Sequence, residues 1–186
     1  ADLTLATQET VPEDADILVI NGAQSDLSAY EADLIRDYME NEGNLAVFLD
    51  VYTKDLPNLN GLLRSYGVSM EDCFVIETDP DHIGSNTPVY LWPVIESHEI
   101  TDPIIQNGYQ IGIYLAKGIE VLNERRDTLE ITPLLSTSAD AYGETDYENI
   151  ESLDNLEPPG SDDIPGPIAL AVAVTDTWYT DNAAHT

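Results

Sequence analysis

Two apolar runs, Ile17-Leu18-Val19-Ile20 and Leu45-Ala46-Val47-Phe48-Leu49, are each followed by a break and then by a helical stripe. That alternation limits the folds open to this chain more than any other feature. Neither run carries the polar alternate of a half-exposed strand, so both read as strands covered on two faces. Asn21-Gly22 ends the first with a turn signal. Ser28 then stands three residues before Glu31, the spacing of a capping box. Leu27, Tyr30, Leu34, Ile35, Tyr38 and Met39 fall near one helical face, and Gly43 suits the left-handed position that closes the helix. After the second run, Leu59, Leu62, Leu63 and Tyr66 form a shorter stripe between Pro57 and Gly67. Cys73-Phe74-Val75-Ile76-Glu77 reads as a third strand. Residues 16–77 therefore predict strand, helix, strand, helix, strand, joined as right-handed units of a parallel sheet.

The pattern loosens from residue 78, where Pro80, Gly84, Pro88, Pro93 and Pro103 argue against helices. Strands are expected at Val89–Trp92, Ile111–Leu115, Ile119–Leu122 and Leu129–Leu135. Residues 139–166, acidic and rich in proline and glycine, read as a long exposed loop. Ile168 to Val174 is a last continuous apolar strand whose alanines suggest close packing. The expectation is one α/β domain over residues 1–186, with a mostly parallel sheet flanked by helices and an irregular β-rich second half.

Charge narrows the function. Thirty-six acids face six bases, a formal net charge of −30. Such a surface repels phosphate backbones and anionic headgroups, which argues against nucleic-acid binding, and it favours cations and basic partners. A solvated surface or a salty habitat would account for the same composition. Cys73 is the single cysteine, so no intrachain disulfide can form. No apolar run approaches the roughly 20 residues of a membrane span. The start at Ala1 suggests a processed or excised product.

The chemistry-bearing residues form no reactive set. Asp79-Pro80-Asp81-His82-Ile83-Gly84 begins like a calcium loop, but Ile83 and Tyr90 stand where oxygen ligands are needed. His82, His98 and His185 lack zinc-ligand spacing, and no metal or cofactor is expected. His98 lies in a turn-like segment, Ser97 to Pro103. Weak calcium binding near Asp162 and Asp163 fits so acidic a surface. Cys73 opens a strand, whereas nucleophiles of α/β folds follow one, so it reads as an inert buried thiol. Asn21-Gly22-Ala23-Gln24 lacks the further glycines of a phosphate loop. Asn21 and Asp50 end neighbouring strands, at the edge where open α/β sheets bind ligands.

Several stretches together resemble one family. Pro12 to Asp16 leads into the first strand, and Leu27-Ser28 opens the helix that ends at Asn41 to Leu45. Leu56-Pro57-Asn58-Leu59-Asn60 through Tyr66-Gly67 is the most specific part. His98-Glu99-Ile100-Thr101, Thr132 to Ser138, Tyr142-Gly143-Glu144 and Gly166 to Val174 follow in order. In these segments the chain resembles the extracytoplasmic auxiliary subunit of gliding-motility-type ABC transport systems. The resemblance implies a flavodoxin-like or class I glutamine-amidotransferase-like domain without catalytic machinery. It also implies a place outside the bacterial cytoplasmic membrane, anchors elsewhere in a longer protein, and an ABC permease and ATPase as partners.

The leading expectation is a non-enzymatic domain acting by protein contact with the transporter or with a basic extracellular partner. The alternative is a small-molecule or carbohydrate binding module using Asn21, Asp50 and Tyr52, with Tyr90 and Trp92 as a stacking surface and His98 as a further contact. A degenerate hydrolase would need a nucleophile–base pair, which the sequence order does not offer.

Overall fold

The computed structural model describes residues 2–52, 56–147, 156, 158–180 and 183–185. A 3-10 turn at Leu5–Thr7 leads to β1 (Leu18–Asn21), α1 (Ala29–Glu40), β2 (Leu45–Phe48) and α2 (Pro57–Ser65). Next come β3 (Val68–Met70), β4 (Phe74–Ile76), a 3-10 turn at Pro80–His82, β5 (Tyr90–Leu91) and β6 (Val94–Ile95). The short α3 (Asp102–Gln106) precedes β7 (Ile113–Tyr114), β8 (Ile119–Val121), β9 (Leu129–Ser136) and β10 (Tyr142–Glu144). Then follow β11 (Ile164–Pro165), β12 (Ala169–Asp176), β13 (Trp178–Thr180) and β14 (Ala183–His185).

This is not the expected mostly parallel sheet flanked by helices, so the flavodoxin-like and glutamine-amidotransferase-like descriptions fail. Among the described residues only β1 and β2 run parallel. The largest sheet, in order β3-β8-β12-β9-β6, is antiparallel throughout. So are β11-β10-β4 and the pairs β5–β7 and β13–β14. The reason lies in β4. Instead of extending the β1–β2 pair, it takes β10 as partner, with Val75 opposite Gly143. Both faces of β4 are covered: Val75 packs with Cys73, Leu91, Ala116 and Ile168, and Ile76 with Val89 and Tyr142. Its apolar run forms a strand as expected, but an antiparallel strand between two clusters satisfies such a run as well as a parallel one.

The last apolar strand became β12, the centre of the largest sheet, held between β8 and β9. Of the loop expected over 139–166, residues 142–144 and 164–165 are strand, and residues 148–155 and 157 lie outside the described residues.

The helices follow their local signals. Ser28 Oγ accepts the Glu31 N–H at 3.2 Å, and the Ser28 N–H donates to Glu31 Oε2 at 2.9 Å, completing the capping box. The bond from the Ser28 N–H, then that from its hydroxyl, holds the Glu31 carboxyl below its ordinary value of 4.5. A depressed carboxyl stabilises the fold above its unfolded pKa, and that contribution is lost as pH falls through the folded value. Glu31→Gln should therefore be less stable than wild type near neutral pH. The gap should close below pH 4.5, read from thermal midpoints across pH; a pH-independent gap would refute it. Ser28→Ala should cost about 1 kcal/mol.

Asn41 caps the far end of α1, and the left-handed residue is Glu42 (φ 67°), not Gly43. Gly43 is needed for another reason: a Cβ there would lie 2.5 Å from the Tyr38 ring. At the end of α2, Gly67 does take the left-handed conformation (φ 77°). The start of α2 is capped from a distance. Leu56 offers no side-chain acceptor, and the Asp26 carboxylate instead accepts the Asn58 N–H at 2.9 Å and the Leu59 N–H at 3.0 Å. Ile35, Leu59 and Leu62 are fully buried in this helical part of the molecule.

Candidate functional site

The sequence-predicted residues fall into three places. Asn21, Asp50 and Tyr52 lie at or beyond the C-terminal end of the β1–β2 pair. Asn21 ends β1 opposite Phe48, and Asp50 follows β2 by two residues. The carboxylate of Asp50 is engaged locally: Oδ2 accepts from Gln24 Nε2 at 2.7 Å and Oδ1 accepts the Tyr52 N–H at 2.7 Å. It closes the turn after β2, and that turn projects Tyr52 to 72% exposure.

Tyr52 begins an aromatic run. Its ring meets Phe74 edge-on at 6.1 Å, and Phe74 stacks on Tyr147 at 4.6 Å. The Tyr147 hydroxyl donates to Asp72 Oδ1 at 2.5 Å, and Lys117 Nζ reaches the same oxygen at 3.2 Å. Lys117 also lies 5.7 Å from the centre of the Tyr147 ring. Phe74 and Tyr147 were not singled out in the sequence, because nothing local shows that β4 passes beside residue 52.

Tyr90 and Trp92 sit elsewhere, on β5 of the antiparallel β5–β7 pair and just after it. Their rings meet edge-on at 5.4 Å, and Tyr90 tilts toward Tyr114 at 6.3 Å. Gly84 and Gly112 make room: a Cβ at Gly84 would lie 1.8 Å from the Tyr90 ring, and one at Gly112 2.8 Å from its hydroxyl. His82 is turned into this structure, its Nδ1 at 2.8 Å from the Trp92 carbonyl oxygen. The calcium-like segment is thus a capped turn, in which Asp79 Oδ1 accepts the Asp81 N–H at 2.9 Å.

His98 lies in a third place, the turn into α3. Its Nδ1 accepts the Ile100 N–H at 3.2 Å, and its carbonyl accepts those of Thr101 and Asp102 at 2.9 and 2.7 Å. Asp163, proposed as a cation contact, also serves a loop: it accepts the Gly160 N–H at 2.6 Å and the Thr145 N–H at 3.0 Å. Burial pushes its carboxyl up, but these bonds outweigh burial and leave it below the ordinary value. A cleft of about 290 Å³ opens beside it, between Ala139–Tyr142 and Pro159–Gly166, and none of the six candidate residues lines it.

Sequence reading missed Glu77, which is 2% exposed. Its Oε1 accepts the N–H groups of Thr78 at 2.9 Å and Asp79 at 3.0 Å and the Ser138 hydroxyl at 2.6 Å. Its Oε2 accepts the Ser138 N–H at 3.1 Å. With both oxygens occupied, this carboxylate acts as a clamp between the end of β4 and the segment after β9. The one signal in the sequence was an acid closing the apolar run Phe74-Val75-Ile76.

Cys73 is fully buried, and burial pushes its thiol up to about 11. The thiolate is the reactive form. A thiol reagent should label native protein only at the rate of unfolding, and fast labelling of folded protein would refute that placement.

The bases are all engaged with the chain itself among the described residues. Arg36 pairs with Asp33, Arg126 with Asp176 at 2.8 Å, and Lys117 with Asp72. Arg64 donates to Ser69 Oγ at 3.1 Å and Arg125 to the Leu122 carbonyl at 2.6 Å. The field beyond the surface is therefore set by the excess of acids.

Fold and site together define a mostly antiparallel β domain with an acidic exterior, whose candidate residues are tied into turns and ring contacts. The chain belongs to the family described as ABC-type uncharacterized transport system, which matches residues 1–184. The family suggests an auxiliary component of an ABC-type transport system and a non-enzymatic role. No curated protein matches the chain. Among solved structures it is similar to one described as the mmIFT52 N-terminal domain, at 16% identity and a TM-score of 0.49. That match covers 68% of this chain and 57% of the other, so this chain spans little more than half of that structure.

Proposed function

We propose that this chain is the extracytoplasmic, non-catalytic domain of a gliding-motility-type auxiliary subunit, and that it works by protein contact with the permease and ATPase of its transport system. Family membership over residues 1–184 carries this reading. Support comes from the acidic exterior, whose described bases are already engaged, so that a partner of opposite charge is drawn to it. Attachment to the membrane would come from segments of a longer protein, because among the described residues no helix is long and apolar enough to cross one. The test is crosslinking of the full-length protein in its native envelope followed by capture. Recovery of the permease and ATPase of an ABC system is the expected result, and their absence despite efficient crosslinking would overturn the proposal.

The aromatic run Tyr52–Phe74–Tyr147 favours a second reading, a carbohydrate or small-molecule module at the end of β1–β2. It requires saturable binding of glycans on an array, abolished by Tyr52→Ala. Equal signals from both proteins would remove it.

A further inference from the structure

A parallel pair is ordinarily covered on both faces, and here one face of β1–β2 is bare. Ile17, Val19 and Phe48 are 54%, 50% and 60% exposed. The register, with Val19 opposite Ala46 and Asn21 opposite Phe48, sets Val19, Ala46 and Phe48 on the same side of the pair. Leu18, Ile20, Leu45 and Val47, which alternate with them or pair with their neighbours, are half-buried. The pair is also open at its edge. The Leu18 and Gly22 N–H groups bond to Asn44 and Phe48 oxygens at 2.8 and 2.9 Å, so the backbone of Val19 and Asn21 faces the opposite side. Among the described residues no strand pairs there. An apolar face beside an unpaired edge is the arrangement that accepts an added strand.

Charge selects the occupant. Glu13, Asp14 and Asp16 are exposed at the entrance to β1, and Asp50 stands near its exit. A second copy of this chain would set those acids against their own kind, at −30 per copy. An anionic lipid surface would be repelled in the same way.

We propose that the outer face and free edge of β1 receive an extended segment of the transporter's membrane subunit, aliphatic at alternate positions and bearing lysine or arginine at its ends. The inference rests on the transport-partner reading above and gives it a surface.

The test places the photocrosslinking residue p-benzoylphenylalanine at Phe48, and separately at Tyr109 on the turn after α3, in the full-length protein in its native cells. The crosslinked peptides are then sequenced. Attachment from position 48 to a Lys- or Arg-bearing segment of the membrane subunit is expected. The yield should fall about tenfold in high salt and about tenfold in Val19→Lys, which sets a charge like the partner's own into the apolar face. If Val19→Lys lowers the melting temperature, Ile17→Lys, just outside the strand, serves in its place. Transporter crosslinks from position 109 alone would leave the functional reading intact and overturn this surface. Crosslinks from position 48 to a second copy, or to another segment of the same polypeptide, would overturn it too. Loss of transporter crosslinks at both positions would count against both readings.

Discussion

Replacing Glu77 with alanine is expected to cost about 3–5 kcal/mol of stability, read from urea unfolding. The carboxylate is buried and accepts four hydrogen bonds, from Thr78, from Asp79 and twice from Ser138. Alanine removes the acceptors and leaves the donors. Bonds to a charged group contribute roughly 1.5–3 kcal/mol each, and a buried donor without a partner costs about 1–3. The losses are not additive, because the four share one side chain. Glu77→Gln keeps the shape but turns one acceptor into a donor facing N–H or O–H groups, so it should rescue less than half of the loss. A drop below about 1 kcal/mol in the alanine variant would show that the clamp is ornamental. The circular dichroism of the folded fraction should hardly change, because the clamp joins two finished strands.

Gly166→Ala is expected to destabilise by about 3 kcal/mol, for a steric reason. A Cβ at this position would lie 2.6 Å from the Ala141 oxygen, 2.7 Å from the Ser138 oxygen and 3.2 Å from the Ala139 oxygen. These are backbone atoms, so no side chain can swing aside. The Gly166 N–H also donates to the Ala141 oxygen at 2.8 Å, which fixes the approach. The movement needed would travel into Ser138 and hence into the Glu77 clamp. The two substitutions share this segment, and the double variant should lose less than the sum of the singles. Gly61→Ala provides the comparison, since a Cβ there meets no atom within 4 Å. It should be neutral or slightly stabilising in α2. Equal melting temperatures for Gly166→Ala and wild type would refute the packing argument.

Local signals in the sequence were legible where the partner is near. Ser28 and Glu31 sit one turn apart, and their capping box forms as read. Gly67 closes α2 as read. The misreadings involve partners far along the chain. α2 is capped by Asp26, more than thirty residues upstream, and no pattern near Leu56 could show it. β3 is three residues squeezed between Gly67 and Glu71, too short for periodicity, and is a strand because β8 lies beside it. The sheet type failed for the same reason. Two β-α units at the start suggested that a third strand would join them, but β4 found β10 instead.

The candidate site was legible in part. Asn21 and Asp50 lie at the same end of the β1–β2 pair, because a parallel pair brings its C-terminal ends together whatever follows. The separation of Tyr90, Trp92 and His98 from them could not be read, since it depends on where the β5–β7 pair and the turn into α3 are laid down. Glu77 stayed hidden because burial of an acid is decided by Ser138, 61 residues away.

The position of β12 bears on how the molecule comes into being. The middle strand of its largest sheet is drawn from residues 169–176, after every other strand of that sheet has been made. A growing chain can assemble α1, α2 and the β1–β2 pair early, but β3–β8 and β9–β6 remain two unjoined ribbons until the seam between them is synthesised. Contacts so distant in sequence close slowly and leave strand edges open meanwhile. While residues 137–176 are being made, the nascent protein therefore waits as two half-sheets for a late strand, the interval in which a chaperone would have the most to protect.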